Sequence, residues 1–131
     1  MTTIEASFRT IPGTQAAEGR TGEHAVVVDR PPGVAGGAGA GMNGGELLAL
    51  AIGGCLANDL RFVAAVRNDT IDDVQVDVSL EIDEDGVVTS ADVAIRLVVP
   101  RGVDTSVLVD EAVEISTVLN AVRNGFPVTA R

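Results

Sequence analysis

The sequence predicts an α+β fold, and three stretches carry that prediction. Twelve consecutive residues, Leu47 to Asn58, bear no charge. They lie inside a longer stretch, Gly44 to Arg67, that reads as a helix apolar all round, and such a helix has to be buried on every side. Residues 73–83 alternate strictly, with Val74, Val76, Val78, Leu80 and Ile82 on one face and Gln75, Asp77, Ser79, Glu81 and Asp83 on the other. That is the pattern of a strand with one wet face. Leu108, Ala112, Ile115, Leu119 and Val122 are spaced four, three, four and three, which makes one stripe of an amphipathic helix. Strands, buried helix, hairpin and amphipathic helix in that order read as α+β with antiparallel sheets. The length predicts a single domain, 1–131.

Composition narrows the function. There are three Phe and no Tyr or Trp, so the core is built from Val, Leu, Ile and Ala, and stacking platforms for bases or sugars are largely excluded. The net charge is −10, and all nine basic residues are Arg. Such a surface repels phosphate backbones and anionic lipid, which argues against nucleic-acid and membrane-surface partners. The longest apolar run falls short of the roughly 18–20 residues that span a bilayer, and no signal peptide is expected at the N-terminus. The single cysteine, Cys55, rules out an internal disulfide and multi-cysteine metal sites. No metal or cofactor is expected, and a reducing cytoplasm is the expected compartment.

In chain order, residues 4–11 alternate loosely and read as a strand ending at Pro12-Gly13. A polar hairpin region follows, containing Gly19-Arg20-Thr21-Gly22, and then a second strand, His24 to Asp29, halted by Arg30-Pro31-Pro32. From Gly33 to Gly45, seven of thirteen residues are glycine. This segment is either a plain loop or a mobile lid or close backbone approach to a ligand. Asn43 is the expected N-cap of the central helix, with Glu46 in its first turn, where a carboxylate suits the dipole. Gly53-Gly54 costs that helix roughly 1 kcal/mol per residue relative to Ala, so close approach of another group beside Cys55 should justify the pair. Glu84-Asp85-Gly86 turns a hairpin whose return strand points Ala91, Val93, Ile95, Leu97 and Val99 inward and stops at Pro100. The second helix is expected from Asp104 or Thr105, both good caps, to Gly125. One sheet and one amphipathic helix do not cover a helix that is apolar all round. A second copy of the chain is expected to supply the rest, as an obligate homodimer with the central helix near the two-fold axis.

A lone thiol in a core is commonly a small hydrophobe. Here the Gly-Gly step leaves Cys55 uncrowded, a glycine-rich segment precedes the helix, and Asp59 lies one helical turn along on the same face. An ionised carboxylate beside a thiol disfavours the thiolate, so activation calls for a cation. Arg20, Arg61 and His24 are the candidates. The alternative readings are an Asp59–arginine ion pair and, for Arg20 and His24, a solvated hairpin.

Glu46-Leu47-Leu48, Ala51 and Gly53-Gly54-Cys55 form the pattern Glu-Leu-Leu-x-x-Ala-x-Gly-Gly-Cys. It resembles the cysteine helix of the OsmC/Ohr family, the osmotically induced and organic hydroperoxide resistance proteins. Asp59 resembles a carboxylate of one branch, and His24 to Asp29 with Pro31 resembles the strand before its glycine-rich loop. Gly19-Arg20-Thr21-Gly22 is similar to the hairpin whose arginine assists the thiol in the Ohr branch, and Phe126-Pro127-Val128 to the closing segment. The resemblance implies an intertwined α+β homodimer with its sites at the subunit interface. It also implies a cysteine that reduces organic hydroperoxides through a sulfenic acid, resolved by a second cysteine. This chain departs from that pattern: Phe126 stands where the resemblance places the second cysteine, and Gly45 where it places the Ohr-type glutamate. Glu46 lies nine residues before Cys55. At about 100° per residue that is the opposite face of a straight helix, so no catalytic role is transferred to it.

Two functions are expected to compete. In the first, Cys55 attacks a peroxide or another apolar electrophile, with Arg20 and Asp59 as the catalytic neighbours, and an external thiol regenerates the enzyme. Substrate contacts then fall to His24, Gly53, Gly54 and Phe126. In the second, the fold is kept and Phe126 with the Gly33–Gly45 loop encloses an apolar small molecule. A different thiol reaction on the same fold is the third possibility.

Overall fold

A computed structural model describes residues 1–131. The chain forms two compact units, Met1–Leu47 and Leu48–Arg131. The first is a three-stranded antiparallel sheet in the order β1 (Ser7–Thr10), β2 (Ala17–Thr21), β3 (His24–Val28). β2 is the middle strand, in the stretch where the sequence predicts only a polar hairpin region. Its residues lack alternation, but hydrogen bonds on both edges hold it. Phe8 lies opposite Gly19, and any Cβ at 19 would collide with the Phe8 ring. Thr21 pairs with His24, leaving a two-residue turn with Gly22 at its first position at φ +57°, the left-handed backbone a tight hairpin requires.

The glycine-rich segment is tied to the end of β3. Met42 N–H donates to the Val27 carbonyl at 3.0 Å, and Asp29 N–H donates to the Met42 carbonyl at 3.1 Å. The Asp29 side chain is 1 % exposed. Its carboxylate accepts from the N–H groups of Arg30 (2.8 Å), Ala38 (3.0 Å) and Ala40 (3.0 Å). A carboxylate fully supplied with donors can stay charged out of water.

The long helix α1 (Gly44–Val66) opens with the expected cap: Asn43 Oδ1 accepts the Glu46 N–H at 2.9 Å. It ends with Asn68 in the left-handed region at φ +58° and Asp69 N–H on the Ala64 carbonyl. By length and composition alone this helix could cross a membrane. Core helices pass the same test, and one side of α1 is a core face.

The second unit pairs β4 (Asp73–Ile82) antiparallel with β5 (Val88–Val98), and adds α2 (Thr105–Ile115) and α3 (Thr117–Asn124). Val74, Val76, Val78 and Leu80 lie opposite Leu97, Ile95, Val93 and Ala91. The predicted inward set holds through the middle of the hairpin. Ile82 is instead half exposed, because a register shift between Glu81 and Ile82 breaks the alternation, and Ala91 is exposed. Two apolar clusters form the core. Leu60, Val63, Ala64, Ile71, Leu108 and Ala112 make one, and Ile52, Leu56 and Leu119 the other.

The reading of the C-terminal helix is corrected. The predicted single helix from 104 to 125 is broken at Ser116, whose φ of −60° and ψ of 113° are extended rather than helical. Its hydroxyl accepts the Leu119 N–H at 3.3 Å and so caps α3. Ile115 and Val122, expected on the buried stripe, are about half exposed. Within the single chain the central helix is buried on one side. Ile52, Leu56, Leu60, Val63 and Ala64 face the core, while Leu50, Gly54, Asn58, Phe62 and Val66, spaced by fours, are exposed. Phe62 and Val66 retain 62 % and 67 % exposure. Nothing in the second unit covers this apolar face.

Candidate active site

α1 sets Cys55 and Asp59 one turn apart, and the two side chains meet. The half-buried thiol donates to Asp59 Oδ2 across 3.3 Å. Within its own unit Asp59 has no arginine within ion-pair distance. Arg61 is committed elsewhere, donating from Nη1 to the Ile71 carbonyl.

The glycine pair separates into two roles. A Cβ at Gly53 would lie 3.1 Å from Val78 Cγ2 and 3.8 Å from Val76 Cγ1, so the bare backbone there lets α1 press against β4. A Cβ at Gly54 would meet nothing within 4 Å. Gly53 is explained by packing, and Gly54 leaves the residue before the thiol open.

Arg20 and His24 share the β2–β3 hairpin. Arg20, 62 % exposed, pairs with Glu18 on its own strand at 2.6 Å, and His24 is exposed beside the turn. Phe126 follows α3 and is 67 % exposed. No group of three or more His, Cys, Asp or Glu side chains is disposed to hold a metal ion.

Ser116 is the residue that sequence reasoning missed. It is fully buried, and its hydroxyl donates to Cys55 Sγ across 3.5 Å. The sulfur thus has a hydroxyl donor from the α2–α3 break and a carboxylate acceptor from its own helix. Ser116-Thr117, a cap signal inside an apparently continuous stripe, was the available clue. The second unit also holds a cavity of about 580 Å³ lined by Ile52, Leu56, Val93, Val113, Leu119 and Arg123 among others. Two of these residues flank Cys55 on α1.

Comparison with known proteins places the chain in a family. The family model for OsmC-like protein matches residues 36–131. An organic hydroperoxide resistance protein from Legionella pneumophila is similar at 24 % identity and a TM-score of 0.64, covering 95 % of this chain and 91 % of that one. The organic hydroperoxide resistance protein OhrB of Bacillus subtilis is 26 % identical with a TM-score of 0.56, over 95 % and 93 % of the two chains. An OsmC-like protein from Mycoplasma pneumoniae, 13 % identical, superposes with a TM-score of 0.76 over 95 % and 89 %. The search of curated protein sequences gave no match. With most of its length matched by the family model and its fold shared with these structures, the chain belongs to the OsmC-like protein family.

Proposed function

We propose that this protein reduces organic hydroperoxides through Cys55, with an external thiol as the resolving partner. The observation that carries the reading is the half-buried thiol hydrogen-bonded to the Asp59 carboxylate. Asp59 accepts the thiol proton as the sulfur attacks the terminal peroxide oxygen. The O–O bond breaks, Cys55 becomes a sulfenic acid, and the proton passes to the departing alkoxide to give an alcohol. One external thiol then condenses with the sulfenic acid, releasing water and leaving a mixed disulfide. A second thiol restores Cys55 and leaves as the external disulfide. The names of the Legionella and Bacillus structures support this substrate class.

We further propose a homodimer, in which the bare face of α1 at Leu50, Phe62 and Val66 meets a second copy. An apolar face of this kind marks an interaction site. In this reading Arg20 exchanges Glu18 for the leaving oxygen, an exchange made easy because exposed ion pairs are weak. His24, Gly54 and Phe126 contact the substrate. The reducing cytoplasm, where we place the protein, supplies the thiols.

The test is hydroperoxide turnover with monothiol and dithiol reductants. The parent is expected to turn over, Cys55→Ser to be inactive, and Asp59→Asn to be slower by about 100-fold, the scale of a lost general base. Turnover surviving in Cys55→Ser overturns the proposal. The 580 Å³ cavity favours a second reading, a protein that binds an apolar small molecule. That reading gains if stoichiometric cumene hydroperoxide leaves the Cys55 thiol unmodified.

A further inference from the structure

Ser116 makes contacts that the cap of a short helix does not need. The Leu119 N–H fully accounts for its capping role, yet the hydroxyl proton is directed at Cys55 Sγ, 61 residues away in sequence. Its side chain is entirely out of solvent, so no water competes for that proton. Asp59 is the charged group bonded to the sulfur, and from the α2–α3 break only this hydroxyl reaches it.

The two contacts have opposite effects. A carboxylate accepting from S–H favours the protonated sulfur, whereas an O–H donated to sulfur favours the thiolate. We propose that Ser116 is a positioning residue for Cys55: its hydroxyl holds the sulfur in place and supports its negative charge once Asp59 has taken the proton. Being an oxygen rather than a thiol, it also commits the oxidised cysteine to a resolving thiol from outside the chain. The catalytic half of this proposal rests on Cys55 as the reacting sulfur.

The second half has a geometric consequence. The contact across the α2–α3 break and α1 brings the two terminal atoms to 3.5 Å, and a disulfide, with its sulfurs about 2.05 Å apart, requires the side chains at 55 and 116 to close that gap further. A thiol at 116 would condense with the Cys55 sulfenic acid, forming the S–S bond and releasing one water. With serine there, that bond cannot form. The sulfenic acid instead awaits two equivalents of a separate thiol, so monothiols as well as dithiols should serve as reductants.

Three variants test this. Alkylation of Cys55 by iodoacetamide, followed against pH, needs no peroxidase activity. Ser116→Ala is expected to move the midpoint to higher pH, and Ser116→Thr, which keeps both the cap and the donor, to restore it. An unmoved midpoint in Ser116→Ala overturns the positioning role. Ser116→Cys, treated with diamide, is expected to lose both free thiols and two hydrogen atoms in mass as an intramolecular disulfide. Two persisting thiols overturn the placement. If Ser116→Cys closes while the parent never oxidises with hydroperoxide, the peroxidase reading fails and the placement stands. If the parent turns over but Ser116→Cys does not close, the reverse holds.

Discussion

Replacing each residue of the glycine pair by alanine tests whether packing or openness keeps it glycine. In a helix interior, Gly→Ala contributes about 1 kcal/mol of stability through backbone propensity alone. At Gly54 nothing lies within 4 Å of the new methyl, so the full gain of about 1 kcal/mol is expected. At Gly53 the methyl arrives 3.1 Å from Val78 Cγ2, roughly half an ångström inside a comfortable carbon–carbon contact of about 3.5–4.0 Å. Val78 cannot swing away easily, because a β-branched side chain is stiff at χ1. Overpacking of this kind costs about 1–3 kcal/mol, so Gly53→Ala should lose up to about 2 kcal/mol net of its propensity gain. Urea denaturation of the two variants at matched protein concentration measures the difference, expected at about 1–3 kcal/mol in favour of Gly54→Ala. Equal gains would refute the close approach of α1 to β4. A loss at Gly54→Ala would refute its description as uncrowded.

The Asp29 carboxyl is held below its ordinary value of 3.8, first by the Ala40 N–H, with the Ala38 and Arg30 N–H groups adding to it and burial opposing. Its charge adds stability that is fully present above about pH 4 and lost as pH falls through the lowered folded-state value. Asp29→Asn should therefore show a shallower acid decline in urea midpoint, with faster hydrogen exchange at Ala38 and Ala40. An unchanged acid limb would count against the carboxylate as organiser of the loop. Leu56→Ala, at a site 1 % exposed, should cost about 3–5 kcal/mol through transfer and cavity terms, and a cost under about 1 kcal/mol would contradict tight packing there. If the proposed homodimer forms through α1, Phe62→Glu should lower the sedimentation coefficient to that of a monomer, and an unchanged coefficient would remove the bare face of α1 from that proposal.

What was legible in the sequence was what depends on near neighbours. The alternation from Val74 to Leu80 fixed a face because each strand residue reports its own side of the sheet. Asp59 was placed beside Cys55 by helical geometry alone, and the Asn43 and Asp104 caps by their position before helical runs. Non-local causes stayed hidden. β2 exists because two neighbours supply its hydrogen bonds and because Gly19 admits the Phe8 ring, and nothing within Ala17–Thr21 announces either. The glycine run takes its shape from Asp29, a side chain nine and eleven residues before the amides it receives. The break at Ser116 was masked because the four-three spacing continues across it, and its link to Cys55 spans 61 residues.

A hydroxyl in mid-helix commonly folds back onto the carbonyl one turn earlier. Ser116 escapes that fate only because the rod is interrupted where it stands. Splicing α2 and α3 into one unbroken cylinder, by changes at neighbouring positions alone, would give its oxygen a local mate and withdraw it from the sulfur. The reach of this side chain belongs to the interruption as much as to the serine.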